Sequence, residues 1–341
     1  MPLLISKSLS NCRADLLYTN ERDPLVHDIN IYTKLILTLL RVTIGIPTFN
    51  EQENILNLLR SLVADNSKDF IISEVVISDD SSDNTPEIVN EFAQSYSLNI
   101  KFMHHCYRRG AAAAWKEIFE KSIGDIIVLC DADVIVGKNC IRELVSSIQG
   151  KIGLCASNPT PVQIEGLVGR ASTFISNWLR SVRKVRLSQY TTMGRALSIR
   201  SDIAKKIMIP TDIIAIDLYL QCKVLEQEID VLYNDNAIVY FRPANSMSDF
   251  TSQVIRAING HKQICDYVEK FKIDLPPSVA FIEIIRNIIL NPRGAISFVV
   301  CYALLHFYKL KLQDINSAKW HTAESTKSID YTQFKFSSFF E

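Results

Sequence analysis

Several features are missing from this chain of 341 residues. It has no excess charge of either sign, since 37 Lys and Arg stand against 37 Asp and Glu. A nucleic-acid partner normally goes with a basic surplus, so none is expected. Its eight Cys form no C-x-x-C pair, which argues against a zinc knuckle. Several of them sit in apolar stretches, where Cys behaves as a small hydrophobe, and they read as reduced thiols of a cytosolic protein. The six His show no H-x-x-x-H or similar metal spacing. The opening "MPLLISKSLSNCRADLL" lacks a basic start followed by a long apolar block, so no secretory signal is expected there. No internal repeat, low-complexity linker or disordered composition appears. What remains is an ordinary globular composition, long enough for two average domains or for one large domain with an appendage.

Residues 1–40 carry no usable motif and are expected to form an N-terminal extension. From residue 42 the pattern becomes regular. "VTIGIP" is a β-branched run closed by Pro47, hence a strand. Asn50 with Glu53 fits a capping box for a helix whose apolar face is Ile55, Leu58, Leu59, Leu62 and Val63. Strands are expected at 70–78 and 99–103. Thr85-Pro86 opens a helix, with Pro at its first position. A helix over 111–123 precedes a strand over 125–130. Strand and helix in strict alternation imply right-handed crossovers and a mainly parallel sheet. Beyond residue 138 the pattern predicts a helix over 163–187 carrying Arg180, Arg183, Lys184 and Arg186. A loop enters a strand in "TTMGRALSIRSD", and a short helix stops near Pro210. A helix over 216–227 opens with Asp217, strands follow at 229–233 and 237–241, and a further helix covers 247–270.

The chemistry concentrates in "IIVLCDADVIVG", residues 126–137. Chance gives about one D-x-D in a chain of this length, so the motif gains weight from its position, at the end of an apolar strand. In open α/β sheets ligands bind outside the carboxyl ends of strands. Asp131 and Asp133 lie at such an end, as do Asp79 and Asp80 after the second strand and Thr48 and Asn50 after the first. Neighbouring carboxylates repel unless cations or donors compensate. Mg²⁺ or Mn²⁺ suits such a pair, because these ions commonly bridge carboxylates and substrate phosphates. Helix capping and turn formation is the plain alternative.

Four ordered blocks, "VTIGIPTFNEQENI", "VVISDDSSDNTPEIV", "RRGAAAAW" and "GDIIVLCDADV", resemble the family 2 glycosyltransferases over residues 42–262. The resemblance implies an α/β GT-A fold: a Rossmann-like layered structure, with a mainly parallel central sheet and helices on both faces, followed by C-terminal helices. The expected organisation is a transferase domain over 41–271, divided into a nucleotide-binding half (41–137) and an acceptor half (138–271), then a helical segment and tail over 272–341. Residue by residue, it implies Pro47, Thr48 and Glu51 at the base and ribose, and Asp79 against the nucleotide with Asp80, Ser81 and Asp83 shaping its loop. Arg109 and Gly110 would lie near the nucleotide. Asp131 would face the ribose or sugar, and Asp133 would hold the metal, with Asp131 beside it. Asp217 would be the catalytic base. Gln253, Arg256 and Gly260 match Q-x-x-R-x-x-x-G and would lie by the diphosphate. The activity so implied is hexosyltransferase-like: metal-assisted transfer from a nucleoside-diphosphate sugar to a glycan or lipid-linked acceptor, with inversion, because one carboxylate opposite the leaving group needs no second nucleophile.

The chain departs from the family pattern in three places. Ala111 replaces the usual Lys of G-K-A, Ile216 replaces the Glu before Asp217, and Ala257 replaces the Trp of Q-x-x-R-W, which argues against a processive synthase. The first two departures keep a non-catalytic nucleotide-sugar binder or membrane-surface scaffold in view. A nucleotidyltransferase would need a Gly-rich basic loop after the first strand, where this chain reads "PTFNEQEN". The apolar run 296–308 is too short to span a bilayer as a helix. Segment 279–308 reads either as helices covering the domain or as an interfacial attachment. The second reading would place the protein peripherally at the cytoplasmic face of a membrane.

Overall fold

The computed structural model describes residues 39–65, 69–185, 195–273, 275–311 and 323–327. The expected N-terminal extension and Arg186 therefore lie outside the described residues. The run "IIVLC" shows how the architecture arises. It forms strand β4 (Ile126–Cys130), and every residue in it is buried. Ile126, Val128 and Cys130 join one hydrophobic cluster while Ile127 and Leu129 join another, so both faces of the strand are covered. A strand covered on both faces must be apolar throughout, and its polar residues can appear only where it ends.

Eight strands form one sheet in the order β3-β2-β1-β4-β7-β6-β8-β5. They are β1 (Leu40–Thr48), β2 (Phe70–Asp79), β3 (Ile100–His104), β4, β5 (Val134–Val136), β6 (Ile152–Pro161), β7 (Ala196–Arg200) and β8 (Asp230–Phe241). The pairs β1–β2, β1–β4, β2–β3 and β6–β8 are parallel, whereas β4–β7, β6–β7 and β5–β8 are antiparallel. On one face the first cluster packs α1 (Ile55–Ala64), α2 (Thr85–Ser95) and α4 (Cys140–Ser146) against Val42, Ile44 and Ile46. On the other, α3 (Ala111–Lys121), α6 (Ser201–Ala204), α7 (Ile216–Leu225) and α9 (Cys265–Lys270) cover Val76, Ile127, Leu154 and Leu197. The layered α/β fold expected from the sequence is thus present.

Four local expectations change. The capping box does not form: α1 starts at Ile55, and Asn50 adopts φ 55°, its side-chain oxygen accepting from the Ser82 N–H at 2.8 Å. Asn tolerates this left-handed conformation better than most residues. The two strands at 229–233 and 237–241 are one strand, β8, whose register against β6 shifts between Ala156 and Asn158. The helix expected over 247–270 is two, α8 (Met247–Gln263) and α9, separated at Ile264. The helix over 163–187 is α5 (Leu167–Val185).

Segment 279–308 folds as α10 (Pro277–Leu290) and α11 (Pro292–Lys311), bent sharply at Asn291. Part of the pair covers the domain. Trp178 Nε1 of α5 donates to the Ala280 carbonyl at 3.2 Å, Asn287 Nδ2 donates to Ser181 Oγ at 2.9 Å, and Phe298 packs on Phe174. The remainder is bare: Phe281, Ile282, Ile289, Leu290, Ile296, Val299, Tyr302 and Phe307 are all exposed. No single described helix is long and apolar enough to cross a membrane, and the bent pair meets that test only jointly.

Candidate functional site

The carboxyl ends of β1, β2 and β3 are flush, because Thr48 pairs with Asp79 and Asp79 with His104 in register. The first acidic pair there is fully engaged. The Asp79 carboxylate is buried and accepts from Thr48 Oγ1 at 2.6 Å and Ser81 Oγ at 2.5 Å, and it meets His104 Nδ1 at 2.7 Å. Asp80 accepts from the Arg109 N–H at 2.6 Å, Arg109 Nε at 2.9 Å and the Gly110 N–H at 3.0 Å. Arg109 also donates to Ser78 Oγ at 2.8 Å and Glu117 at 2.9 Å, and Glu117 meets His105 Nε2 at 3.0 Å. Gly110, at φ 95°, takes a backbone conformation that few other residues adopt and starts α3 over this acid. Arg109 is therefore a strut between β2 and α3. Pro47 lies partly buried one residue before Thr48.

The second acidic group is assembled differently. Asp133 receives both carboxylate oxygens' contacts from one guanidinium: Arg195 Nη1 lies 2.8 Å from each. Arg195 also lies 3.8 Å from Asp131 and stacks over the Phe241 ring at 4.5 Å. It immediately precedes β7, and its carbonyl accepts from the Asp131 N–H, which ties it to the end of β4. Glu51, expected from the resemblance at the base and ribose, is set against Asp133 and Asp131. Burial first, then the charge of Asp133, pushes its pKa up to about 8, against a hydrogen bond from Asn54 Nδ2. Burial, then Asp133, likewise pushes Asp131 up to about 7, with Arg195 and Arg256 opposing. Burial first, and the repulsion of Asp133 second, keep these acids protonated near neutrality.

Asp217 and Arg256 complete the group. Asp217 stands in the first turn of α7, and Arg256 on α8, partly buried, feels the charges of Asp217, Asp131, Arg195 and Asp133. Arg183 of α5, also buried, faces Tyr233 and Asp217. Gly260 explains how α8 comes so near: a side chain there would put its Cβ 2.8 Å from the Ala215 Cβ, two residues before Asp217. Gln253 is not drawn in; it is exposed on α8. Of the other basic residues, Arg180 Nε donates to Asn158 Oδ1 at 2.7 Å and Lys184 pairs with Asp235 at 2.7 Å. With Arg286 they line a cavity of about 780 Å³ between α5 and α10, next to the bare apolar face. Sequence reasoning read Arg195 only as part of the loop "TTMGRALSIRSD" entering a strand and gave it no role. Only its place directly before a strand pairing with β4 could have signalled it.

Comparisons with known proteins agree with the fold. Residues 43–201 match the family described as Glycosyl transferase family 2. A dolichol-phosphate mannosyltransferase of Pyrococcus furiosus is 32% identical over 111 residues, covering 32% of this chain and 30% of that protein. A poly-beta-1,6-N-acetyl-D-glucosamine synthase of Staphylococcus epidermidis is 22% identical over 63% of this chain and 53% of its own length. An undecaprenyl-phosphate 4-deoxy-4-formamido-L-arabinose transferase of Edwardsiella ictaluri is 27% identical over 49% of this chain and 51% of its own. The chain thus spans between 30% and 53% of the length of these relatives. A mannosyltransferase of Pyrobaculum calidifontis, solved with GDP-Man and Mn²⁺, shares the fold at a TM-score of 0.54 and 18% identity, over 85% of this chain and 88% of that one.

Proposed function

We propose, from the match of residues 43–201 to the family described as Glycosyl transferase family 2, that the chain transfers a sugar from a nucleoside-diphosphate sugar to an acceptor oxygen with inversion. The observation that carries this reading is the gathering of Asp131, Asp133, Asp217 and Arg256 at the carboxyl end of β4. In the reaction the acceptor oxygen forms a bond to the anomeric carbon as the bond to the diphosphate breaks. The electron pair leaves on a phosphate oxygen, and the acceptor proton goes to the Asp217 carboxylate. Arg256, whose charge acts on Asp217 and Asp131, is the guanidinium assigned to steady the leaving group. Thr48, Asp79, Asp80, Arg109 and Gly110 build the wall for the nucleotide.

The residues fit a divalent cation, Mg²⁺ or Mn²⁺. Glu51, Asp131 and Asp133 lie together, and burial followed by the repulsion of Asp133 raises the pKa of the first two, so an added cation would be favoured here. Among the described residues no three His, Cys, Asp or Glu side chains are grouped to cage an ion alone. An ion held by Asp133 and Asp131, completed by phosphate oxygens and water, suits this set. Bound there, it would stabilise the diphosphate leaving group. Asp133 is also the residue Arg195 grips, so ion and guanidinium must share its oxygens.

A lipid-linked acceptor accords with the exposed apolar face of α10 and α11 beside the basic cavity, and two of the relatives above are named for lipid phosphates. The same face would seat the protein peripherally at a membrane, on the cytoplasmic side in our reading. A glycan acceptor is the other member of this proposal. Calorimetry with UDP and GDP, with and without Mn²⁺, tests the donor site in wild type and Asp133→Ala. Metal-dependent binding of one nucleotide, lost in the variant, is expected. Binding of neither nucleotide under any condition overturns the reading, and binding without turnover on any donor would leave a nucleotide-sugar binder instead.

A further inference from the structure

Arg195 holds the second acidic pair in a different way from Arg109 at the first. Arg109 spreads its nitrogens over three partners, with Nε on Asp80 and Nη2 on Ser78 Oγ and Glu117. Both Arg195 contacts to Asp133 come from the single nitrogen Nη1, 2.8 Å from each oxygen. A guanidinium grips a carboxylate best as a fork, two nitrogens on two oxygens. One nitrogen astride both oxygens forgoes that geometry and takes the place that a bidentate cation would take. A divalent ion on Asp133 must therefore take at least one oxygen from Nη1, and it repels the guanidinium as well.

The surroundings pin the Arg195 backbone and leave its side chain a surface to turn on. Its carbonyl accepts from the Asp131 N–H at 3.0 Å, and the next residue, Ala196, pairs with Cys130 in the sheet. The guanidinium carbon lies 4.5 Å over the Phe241 ring, and Phe241 pairs with Val134, the neighbour of Asp133. A ring so fixed is a platform on which the guanidinium keeps a cation–π contact while its nitrogens change partner. A diphosphate entering this site brings at least two negative charges, and the chain has Ala111 where the family pattern has a Lys. A planar guanidinium released beside Asp133 matches phosphate oxygens as well as it matches a carboxylate.

We propose that Arg195 is a donor-binding residue coupled to the metal: the divalent cation displaces its guanidinium from Asp133, and the released guanidinium pairs with the diphosphate of the nucleotide sugar. The inference rests on the glycosyl-transfer reading above and adds to it a link between the two ligands. The ion alone binds against the guanidinium, whereas the diphosphate gives the guanidinium a new partner. Metal and diphosphate therefore strengthen each other beyond their own direct contact, equally from either side.

Two readouts on the full chain test it. Calorimetry with Mn²⁺ alone, and then with UDP or GDP in saturating Mn²⁺, compares wild type with Arg195→Met and Arg195→Lys, each checked for wild-type Tm. Arg195→Met should bind Mn²⁺ alone about tenfold more tightly, and the diphosphate that wild type binds about ten- to a hundredfold more weakly, as loss of a charge-assisted contact should. Arg195→Lys should fall between. Nitrogen NMR of the arginine side chains follows the guanidinium itself, with Mg²⁺ as the diamagnetic ion and the Arg195 signal assigned by its loss in Arg195→Lys. Rotation of the guanidinium should be hindered in the free protein, freed by Mg²⁺ alone and hindered again when the diphosphate joins. This series needs no Met variant and stands if that variant does not fold. Mn²⁺ binding in Arg195→Met that is unchanged or weaker, wild-type diphosphate affinity in that variant, or an Arg195 signal that stays hindered throughout overturns the inference alone. A wild-type protein that binds neither nucleotide, with or without Mn²⁺, overturns the glycosyl-transfer reading and this inference with it.

Discussion

Two pairs of aspartates end neighbouring strands of one sheet, and the protein treats them in opposite ways. Asp79 and Asp80, at the end of β2, are saturated. Thr48, Ser81 and His104 serve the first, and the Arg109 backbone, the Arg109 side chain and the Gly110 N–H serve the second. Asp131 and Asp133, beyond β4, share one guanidinium, which is closer to Asp133. A saturated acid shapes a loop, whereas an acid short of partners is held in readiness for a ligand. Sequence alone gives both pairs the same appearance, an apolar strand running into carboxylates. Only the surrounding donors tell the two pairs apart.

The sharpest break in this contrast concerns Asp217, which neither pair contains but which Arg256 links to the second. Asp217→Asn should lower sugar transfer about a thousandfold while leaving nucleoside-diphosphate affinity nearly unchanged, since a base acts on the acceptor proton and not on the donor. Single-turnover rates beside calorimetry check it. Equal losses in rate and affinity would move Asp217 to the donor side. The next effect separates the two pairs directly. Asp80→Ala strands Arg109 and two N–H groups and should cost about 3 kcal/mol of folding stability. Asp133→Asn should change stability by less than about 1 kcal/mol, because the lost Arg195 contact is offset by relief of Glu51 and Asp131, yet it should abolish metal-dependent nucleotide binding. Urea melts of both variants decide the matter, and comparable destabilisation would erase the distinction.

A smaller effect comes from the packing behind the site. In Gly260→Ala the new methyl meets Ala215 Cβ at 2.8 Å and pushes α8, with Arg256, away from Asp217. Transfer should fall about ten- to a hundredfold through misplacement alone. Adding Ala215→Gly, which removes the opposing methyl, should restore most of it. Failure of that rescue would show that Gly260 matters for some other reason than this close approach.

How much of this was legible in advance follows from where each signal resides. The buried run of β4, the strand ends and the Thr85-Pro86 helix start are local features, and they appear in the structure as the pattern implies. The ordered blocks over 42–262 pointed to the layered fold. Other features depend on contacts between distant residues. Arg109 also ties β2 to α3, a pairing the sequence does not show, because its partners Asp80 and Glu117 come from other elements. Arg195 matches no family block, and only folding brings it to Asp133. The Asn50–Glu53 spacing imitates a capping box, but Asn50 instead joins the loop after β2 through Ser82. For 279–308 one side packs on α5, as the covering reading expected, and the other side is bare.

The smallest predicted effect tests the imbalance itself. In the folded protein Glu51 titrates near 8 rather than 4.5, and Asp131 near 7 rather than 3.8, with burial the first cause and Asp133 the second in both. Between the ordinary carboxylate values and about pH 8 the folded state therefore binds more protons than the unfolded chain. Stability must then fall as pH rises through that window, the opposite of what a well-paired carboxylate gives. The two acids lie together and respond to each other, so their effects do not add, and a combined loss on the order of 1–3 kcal/mol is expected. Urea midpoints of the metal-free protein at intervals from about pH 5 to about pH 8 should decline, and Glu51→Gln should flatten the decline by removing one titrating group and the repulsion it exerts. Taking the difference between the two proteins cancels acids elsewhere, including those of the saturated pair. Mn²⁺ with the nucleoside diphosphate should flatten the wild-type curve as well, because added positive charge lets both acids ionise. Parallel curves for wild type and Glu51→Gln would mean that the second group of acids is as well compensated as the first, and the contrast between the two strand ends would lose its physical basis.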